Sequence, residues 1–529
     1  MSQLNNYGSW WWEMTSSNYN TEFTLAVVTI SVVILTISLW YKMTTTVSSS
    51  SSPPGPRSLP IVGYLPFLGP ELHKQFVEMA DTFGPIFKFH LGSKVNIVIN
   101  SPELAKEVVR DQDDTFANRQ QTVAVSIYSY GGQDIVFSDN NSSWRSLRKI
   151  LVQEILNNKN LEACRSLRRN EVRKTIKNIF GKIGTSVNIN EIAFSTEAKV
   201  VSSMVWDNTT TSSAGSQVGD ELRMIVSDIA ETIGLPNLSD IFPCLARFDL
   251  QGVERDMQKH LNKLRQVLTA IIQDRIESNS KLAAQNGVAG RDGKKDFLQI
   301  LLDLKDQKHP SALDITKIKA LLVDIMTAGT ETTTTLIEWA MAEIMCNEKV
   351  MKRVQGELEE MVGENNIVEE SHLPKLQYLD ATIKETFRLH PVVPLLLPRK
   401  PSQDCVVGGY TIPKGCTIFL NVWSINRDPR YWNNPLEFNP DRFLKNKWDY
   451  NGNNLKFFPF GSGRRICPGI PLAERMQMFV FASLLHSFNW SLPKGETHDL
   501  SEKFGITLKK RKPLIAIPSQ RLADAGLYN

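Results

Sequence analysis

The ten residues Phe460-Gly461-Ser462-Gly463-Arg464-Arg465-Ile466-Cys467-Pro468-Gly469 place one cysteine between glycines and beside two arginines. Glycine lets a backbone turn sharply and approach a flat ligand closely. The residues that follow, IPLAERMQMFVFASLLHSF at 470–488, repeat apolar side chains at helical spacing. Cys467 is therefore expected just before a helix N-terminus, where backbone N–H groups and the helix dipole stabilise a thiolate. A buried cysteine in a turn is the alternative for a lone thiol, and the complete ten-residue pattern favours a metal ligand over it.

Bulk composition is compatible with that reading and excludes several others. The chain has 529 residues, 42% hydrophobic and 22% charged, as in a globular protein. A net charge of +4 gives no support to bulk nucleic-acid binding. Six cysteines, none in a C-x-x-C pair, form neither a disulfide framework nor a zinc pattern. There is no H-E-x-x-H, P-loop or G-x-S-x-G elbow.

Outward from the cysteine loop, the organisation is that of one large unit behind a tether. Residues 23–41, FTLAVVTISVVILTISLWY, carry no charge and as a helix would span about 28 Å, which predicts a transmembrane anchor; a cleaved signal peptide is the competing reading, against which the long apolar core and the lack of a preceding Lys or Arg argue. Glu13 and Glu22 precede it, and Lys42 and Arg57 follow, so residues 1–22 are expected in the lumen and the rest in the cytosol. Residues 42–60, with a serine run and Pro53-Pro54-Gly55-Pro56, read as a linker and hinge. Residues 61–529 read as a single mainly α domain with a minor β region. Strands are expected around Gly92-Ser93 (IFKFHL, VNIVI) and at 405–412 and 417–421. Helices are expected at 254–277, 316–345 and 349–362, and a surface loop at 285–294.

The pattern F-x-x-G-x-R-x-C-x-G resembles the haem-binding loop of the cytochromes P-450, and the other motifs stand in that family's order. An axial thiolate pushes electron density onto haem iron and favours O–O cleavage. The resemblance makes Cys467 the iron ligand, with Phe460, Gly463, Arg465 and Gly469 around the haem. Glu385 and Arg388, an i,i+3 pair on a helical stretch, are similar to the family's E-x-x-R. With Arg442 of Phe438-Asn439-Pro440-Asp441-Arg442-Phe443 they would form a buried structural network. Ala328-Gly329-Thr330-Glu331-Thr332-Thr333 resembles the oxygen-binding motif of the long central helix. It implies an oxygen groove at Ala328 and Gly329, Thr332 as the proton-delivering alcohol and Glu331 as the relay acid. Trp144 and Arg148, four apart, resemble the W-x-x-x-R that holds haem propionates, and Arg399 matches a further propionate contact.

The same resemblance implies a cytochrome P-450 fold, haem b (iron protoporphyrin IX), O2, and electrons from an NADPH-cytochrome reductase, with cytochrome b5 as a further donor. It places the enzyme in the endoplasmic reticulum membrane. The opening PPGPRSLPIVGYLPFLG and the haem loop are similar to the plant microsomal A-type branch. Residues 241–249, IFPCLARFD, resemble members acting on sesquiterpenes or flavonoids. Phe116-Ala117-Asn118-Arg119-Gln120 lacks the proline common after this arginine, which bears on substrate. The expected pocket comprises the loop 119–137 with Leu322, Met326, Val393, Leu395, Leu396, Leu397 and Ile506. These side chains are mainly aliphatic, which favours a small apolar substrate, a terpenoid ahead of a flavonoid. Arg464, Arg145 and Lys149 are candidates for docking an acidic partner. A haem-thiolate isomerase or dehydratase would lack the Thr332-type relay. A haem sensor or electron carrier gains from a closed iron, against which Gly329 and the threonines argue.

Overall fold

The computed structural model describes residues 23–38, 51–206, 214–286, 295–307, 313–445 and 448–529. The two β-rich pieces around Gly92 form an antiparallel hairpin, β1 (Ile86–Leu91) and β2 (Lys94–Ile99), with Gly92 at φ 57°. Three further strands complete one sheet: β3 (Asn118–Arg119), β4 (Arg399–Lys400) and β5 (Thr417–Leu420). Their spatial order is β1-β2-β5-β4-β3, with β2 and β5 parallel and the other pairs antiparallel. Residues 51–60, read above with the linker, lie against this sheet: Lys88 N–H donates to the Pro54 carbonyl at 2.8 Å, and Leu59 bridges to Gly63.

The rest is chiefly helical. The expected helices are Val253–Asn286, Ile315–Cys346 and Glu348–Met361. The central helix, Ile315–Cys346, is 32 residues long, about 48 Å. Asp314 caps it by accepting from Lys317 N–H at 2.8 Å, satisfying one of the orphan donors of the first turn. It is buried around most of its circumference, the pattern of a core helix. Ile189–Trp206 runs antiparallel beside it: Asn190 donates to Glu338 at 2.7 Å, and eleven residues on, Val201 faces Gly329. The largest apolar cluster joins these helices to Ile470–Ser487, and two smaller ones pack on the sheet.

Residues 23–38 form a helix whose apolar side chains are exposed, and sixteen residues rise about 24 Å. Among the described residues no helix is long and apolar enough to cross a membrane. Residues 1–22, 39–50 and 287–294, which hold the expected lumenal segment, the end of the anchor, most of the linker and most of the 285–294 loop, lie outside the described residues.

Candidate active site

The cysteine loop closes on itself before the helix Ile470–Ser487 begins. Cys467 N–H donates to the Phe460 carbonyl at 3.0 Å and Gly469 N–H to the Cys467 sulfur at 3.3 Å. Burial pushes the thiol pKa up, and the Gly469 and Ile470 amides with the Arg148 guanidinium pull it partly back. A coordinated cation is what would ionise such a thiol outright. Two residues of the loop also serve the protein's own packing. Gly463 (φ 70°) is required by its own chain, since a Cβ there would lie 1.9 Å from the Val109 carbonyl oxygen. Phe460 turns its ring onto Phe387 and Tyr450, both at 5.2 Å, so its carbonyl shapes the loop while its ring joins the core.

Four arginines converge on the loop 134–138 and the cysteine loop. Arg148 donates to the Ile466 carbonyl at 2.5 Å, and Arg399 to the Ser462 carbonyl at 3.0 Å. Arg465 donates to the carbonyls of Ala117 (2.6 Å), Ile135 (3.3 Å) and Ser138. Arg119 reaches Leu397 (2.6 Å) and Val136 (3.3 Å). Burial, then the neighbouring Arg399, lowers Arg465 to about 9; burial lowers Arg399 to about 10 and Arg119 well below its ordinary value. Arg399 Nη1 is buried without a partner. The acid in their midst, Asp134, is itself pushed up by burial and spends its oxygens on Phe137 N–H and the Ser138 hydroxyl. Buried cations that lack counter-charge are costly, so this cradle fits a group bringing carboxylates, as a haem with two propionates does. Trp144 is placed differently from the expectation. Its N–H goes to the Ile135 carbonyl at 2.9 Å, and its ring underlies Arg465 at 4.0 Å and Arg148 at 5.7 Å, holding the arginines by cation–π contact. Arg119 opens the expected substrate loop 119–137, and its place in the cradle depends on pairing between β3 and β4, 280 residues apart in number.

Behind the cradle, Glu385 and Arg388 pair through two bonds of 2.7 Å with both side chains at 0% exposure. Arg388 also donates to the carbonyls of Asn426 (2.9 Å), Pro435 (2.7 Å) and Glu437 (3.0 Å). Arg442 and the Asn439 amide complete Glu385, at 3.2 and 2.8 Å.

On the central helix, Ala328 is exposed in a stretch otherwise buried, and Gly329 and Thr332 are half-buried. The hydroxyls of Thr327, Thr330, Thr332, Thr333 and Thr335 all donate to carbonyls four residues back. Thr332 thus projects beside Ala328, roughly 40° around the helix. Gly329 turns toward Val201, where a Cβ would sit 3.6 Å from Val201 Cγ2, so it packs helix on helix. Glu331 is buried and ion-paired with Lys509 of the hairpin Glu502–Lys503/Lys509–Lys510. Nothing in the local sequence of either residue announces that pair.

The expected pocket residues divide. Leu322 and Met326 are 0% exposed; at 100° per residue they point roughly 120° and 160° away from Ala328, into the core. Leu395 packs with Phe76, Phe87 and Phe89 under the sheet. Val393, Leu396, Leu397 and Ile506 keep accessible surface. Leu396 lies beside Gly461 and takes φ 48°, a left-handed conformation costing a leucine of order 1–3 kcal/mol.

Comparison with known proteins gives one answer. Residues 53–517 match the family model of cytochrome P-450. A carnosic acid synthase of Salvia pomifera is 38% identical over 474 residues, 88% of this chain and 93% of that one. A geraniol 8-hydroxylase of Catharanthus roseus is 37% identical over 474 residues, 88% of this chain and 94% of its own. A solved zebra fish cytochrome P-450 with abiraterone superposes with a TM-score of 0.71 at 25% identity, covering 86% of this chain and all of its own.

Proposed function

Because the chain belongs to the cytochrome P-450 family, as a monooxygenase of the plant A-type branch, we propose that it hydroxylates a small apolar terpenoid with electrons from an NADPH-dependent reductase. The observation that supports the substrate class is the opening of the middle of the central helix at Ala328 and Thr332, together with the accessible surface that the aliphatic Val393, Leu396, Leu397 and Ile506 keep. Such a site binds by apolar burial. Relatives named for carnosic acid, ferruginol and geraniol, all terpenoids, support the same class.

When bound, the haem supplies dioxygen activation through an electron-rich thiolate-ligated iron. Cys467 furnishes that thiolate, and Arg119, Arg148, Arg399 and Arg465 would hold the propionates. Thr332 keeps its proton on Ala328 O at 2.7 Å, leaving its oxygen lone pairs to order water at the open face. Glu331 would be the relay carboxylate, which takes up a proton from solvent before passing it toward that water, and Lys509 fixes its position by an ion pair. Arg145 and Lys149, exposed on the helix Ser142–Ile150, suit an acidic redox partner such as the reductase or cytochrome b5; Arg464 is partly neutralised by Asp113 and Asp114 at 3.2 and 3.3 Å. Residues 23–41 would anchor the protein in the endoplasmic reticulum membrane, catalytic domain in the cytosol.

The test is incubation of the holoenzyme with reductase, NADPH and 18O2 over geraniol and ferruginol-type diterpenes. One 18O atom per product molecule is expected. Turnover of flavonoids with none of terpenoids would contradict the substrate class, and product formation without O2 would contradict the reaction.

A further inference from the structure

The central helix buries an acid one turn before the open face. Asp324 is four residues ahead of Ala328 and so roughly 40° from it around the helix. Its Oδ2 accepts from Ile135 N–H at 2.8 Å and its Oδ1 from the Tyr128 hydroxyl at 3.0 Å. The Val136 amide is a further donor to it. The Tyr128 hydroxyl also lies 2.6 Å from the Thr327 hydroxyl, and its ring packs edge-on to Phe137 at 5.6 Å. Ile135 is therefore held from both sides. Its N–H is fixed by the central helix, and its carbonyl accepts from Trp144 at 2.9 Å and Arg465 at 3.3 Å.

We propose that Asp324 is a positioning residue for specificity: it latches the loop 128–137, between the central helix and the arginine cradle, and thereby sets where a substrate's carbon skeleton lies over the site. The proposal rests on the reading of the open face at Ala328 and Thr332 as part of a substrate site. A carboxyl at this place is otherwise unexplained, since burial and the nearby Asp134 push its pKa well up. No step of proton delivery uses it, and an apolar side chain would avoid that burial. What it does have is donors from two ends of one loop, so its removal frees the loop on the central-helix side and leaves Cys467, Thr332 and the bonds of Arg148 and Arg399 to the cysteine loop in place.

The experiment uses the haem-loaded protein with reductase, geraniol as substrate and 1-phenylimidazole as a ligand that needs no turnover. Asp324→Leu removes every bond of the latch, Asp324→Asn keeps one acceptor, and Tyr128→Phe removes a single hydroxyl and keeps the ring, which guards against an unfolded variant. All are expected to retain the thiolate-type carbon monoxide spectrum. Amide exchange in residues 128–137 should rise about tenfold in Asp324→Leu and less in the other two, with residues 377–389 unchanged. The ratio of products hydroxylated at different carbons should shift in the same order. Azole affinity should fall about threefold, as for a pocket competent a third of the time. Faster exchange with an unchanged product ratio and unchanged azole affinity would overturn the specificity role. Unchanged exchange in a folded variant would overturn the latch. If the parent protein leaves geraniol untouched, the substrate reading fails, while exchange and azole binding still decide the latch.

Discussion

Arginine is buried in two regions of this molecule with opposite accounting of charge. Around Glu385, Arg388 and Arg442, each guanidinium meets the Glu385 carboxylate or a main-chain carbonyl, and the carboxylate is filled from three directions. Around Arg119, Arg148, Arg399 and Arg465, cations face one another, lower one another's proton affinity, and leave Arg399 Nη1 without a partner. The first arrangement is complete as it stands and can only be structural. The second leaves cation beside cation and one buried N–H donor open, which suits it to receive an anionic group. Glu197, on the helix packed along the central helix, shows a third solution: it is fully buried with Oε1 unpartnered, and burial raises its pKa to about 8, so it stays neutral.

The contrast is broken most severely at the closed network. Glu385→Gln strands Arg388 in the core and should remove about 3–5 kcal/mol, a large part of a typical domain's stability, so urea denaturation should show a much earlier midpoint and little haem should be retained. Glu197→Gln tests the neutral acid. The folded pKa of about 8 lies above the ordinary 4.5, so the Glu197 contribution is full below pH 4.5 and is lost as pH rises to about 8. The glutamine variant should lose stability less steeply in that window, by up to about 1.4 kcal/mol per pH unit in denaturation series. At the cradle the sign depends on loading. Arg399→Met should leave the haem-free chain as stable or more so, because it relieves repulsion with Arg465. The same variant should release haem to an acceptor protein about tenfold more readily, or about 1.4 kcal/mol. The smallest effect belongs to the surface: Arg464→Glu should change reductase-supported turnover less than Lys149→Glu, read as rates over a salt series, since Arg464 is already paired with Asp113 and Asp114.

Local spacing made the closed network legible, because Glu385 and Arg388 are neighbours on one helix face. It also gave the cysteine loop, the hairpin at Gly92 and the ends of the helices Ile315–Cys346 and Glu348–Met361 within a residue, whereas the helix expected at 254–277 runs on to Asn286. The cradle was legible only in part. Arg119 reaches it through strand pairing and Trp144 enters as a platform, and neither follows from a motif in isolation. The pocket was least legible, because aliphatic character alone does not say which way a helical side chain points. Counting 100° per residue from Ala328 would have turned Leu322 and Met326 inward and brought Asp324 to attention. The pairs Glu331–Lys509 and Asp324–Ile135 span 178 and 189 residues, and nothing at such separation is written in periodicity.

The central claim, a thiolate-ligated haem at Cys467 held by an arginine cradle, is tested most directly by the carbon monoxide difference spectrum of the reduced, membrane-expressed protein beside its Cys467→Ser variant. The red-shifted Soret band of thiolate-ligated haem is expected in the parent protein and should be lost in the variant. A band at the position of histidine-ligated haem in the folded parent, or the same spectrum from both proteins, would contradict it.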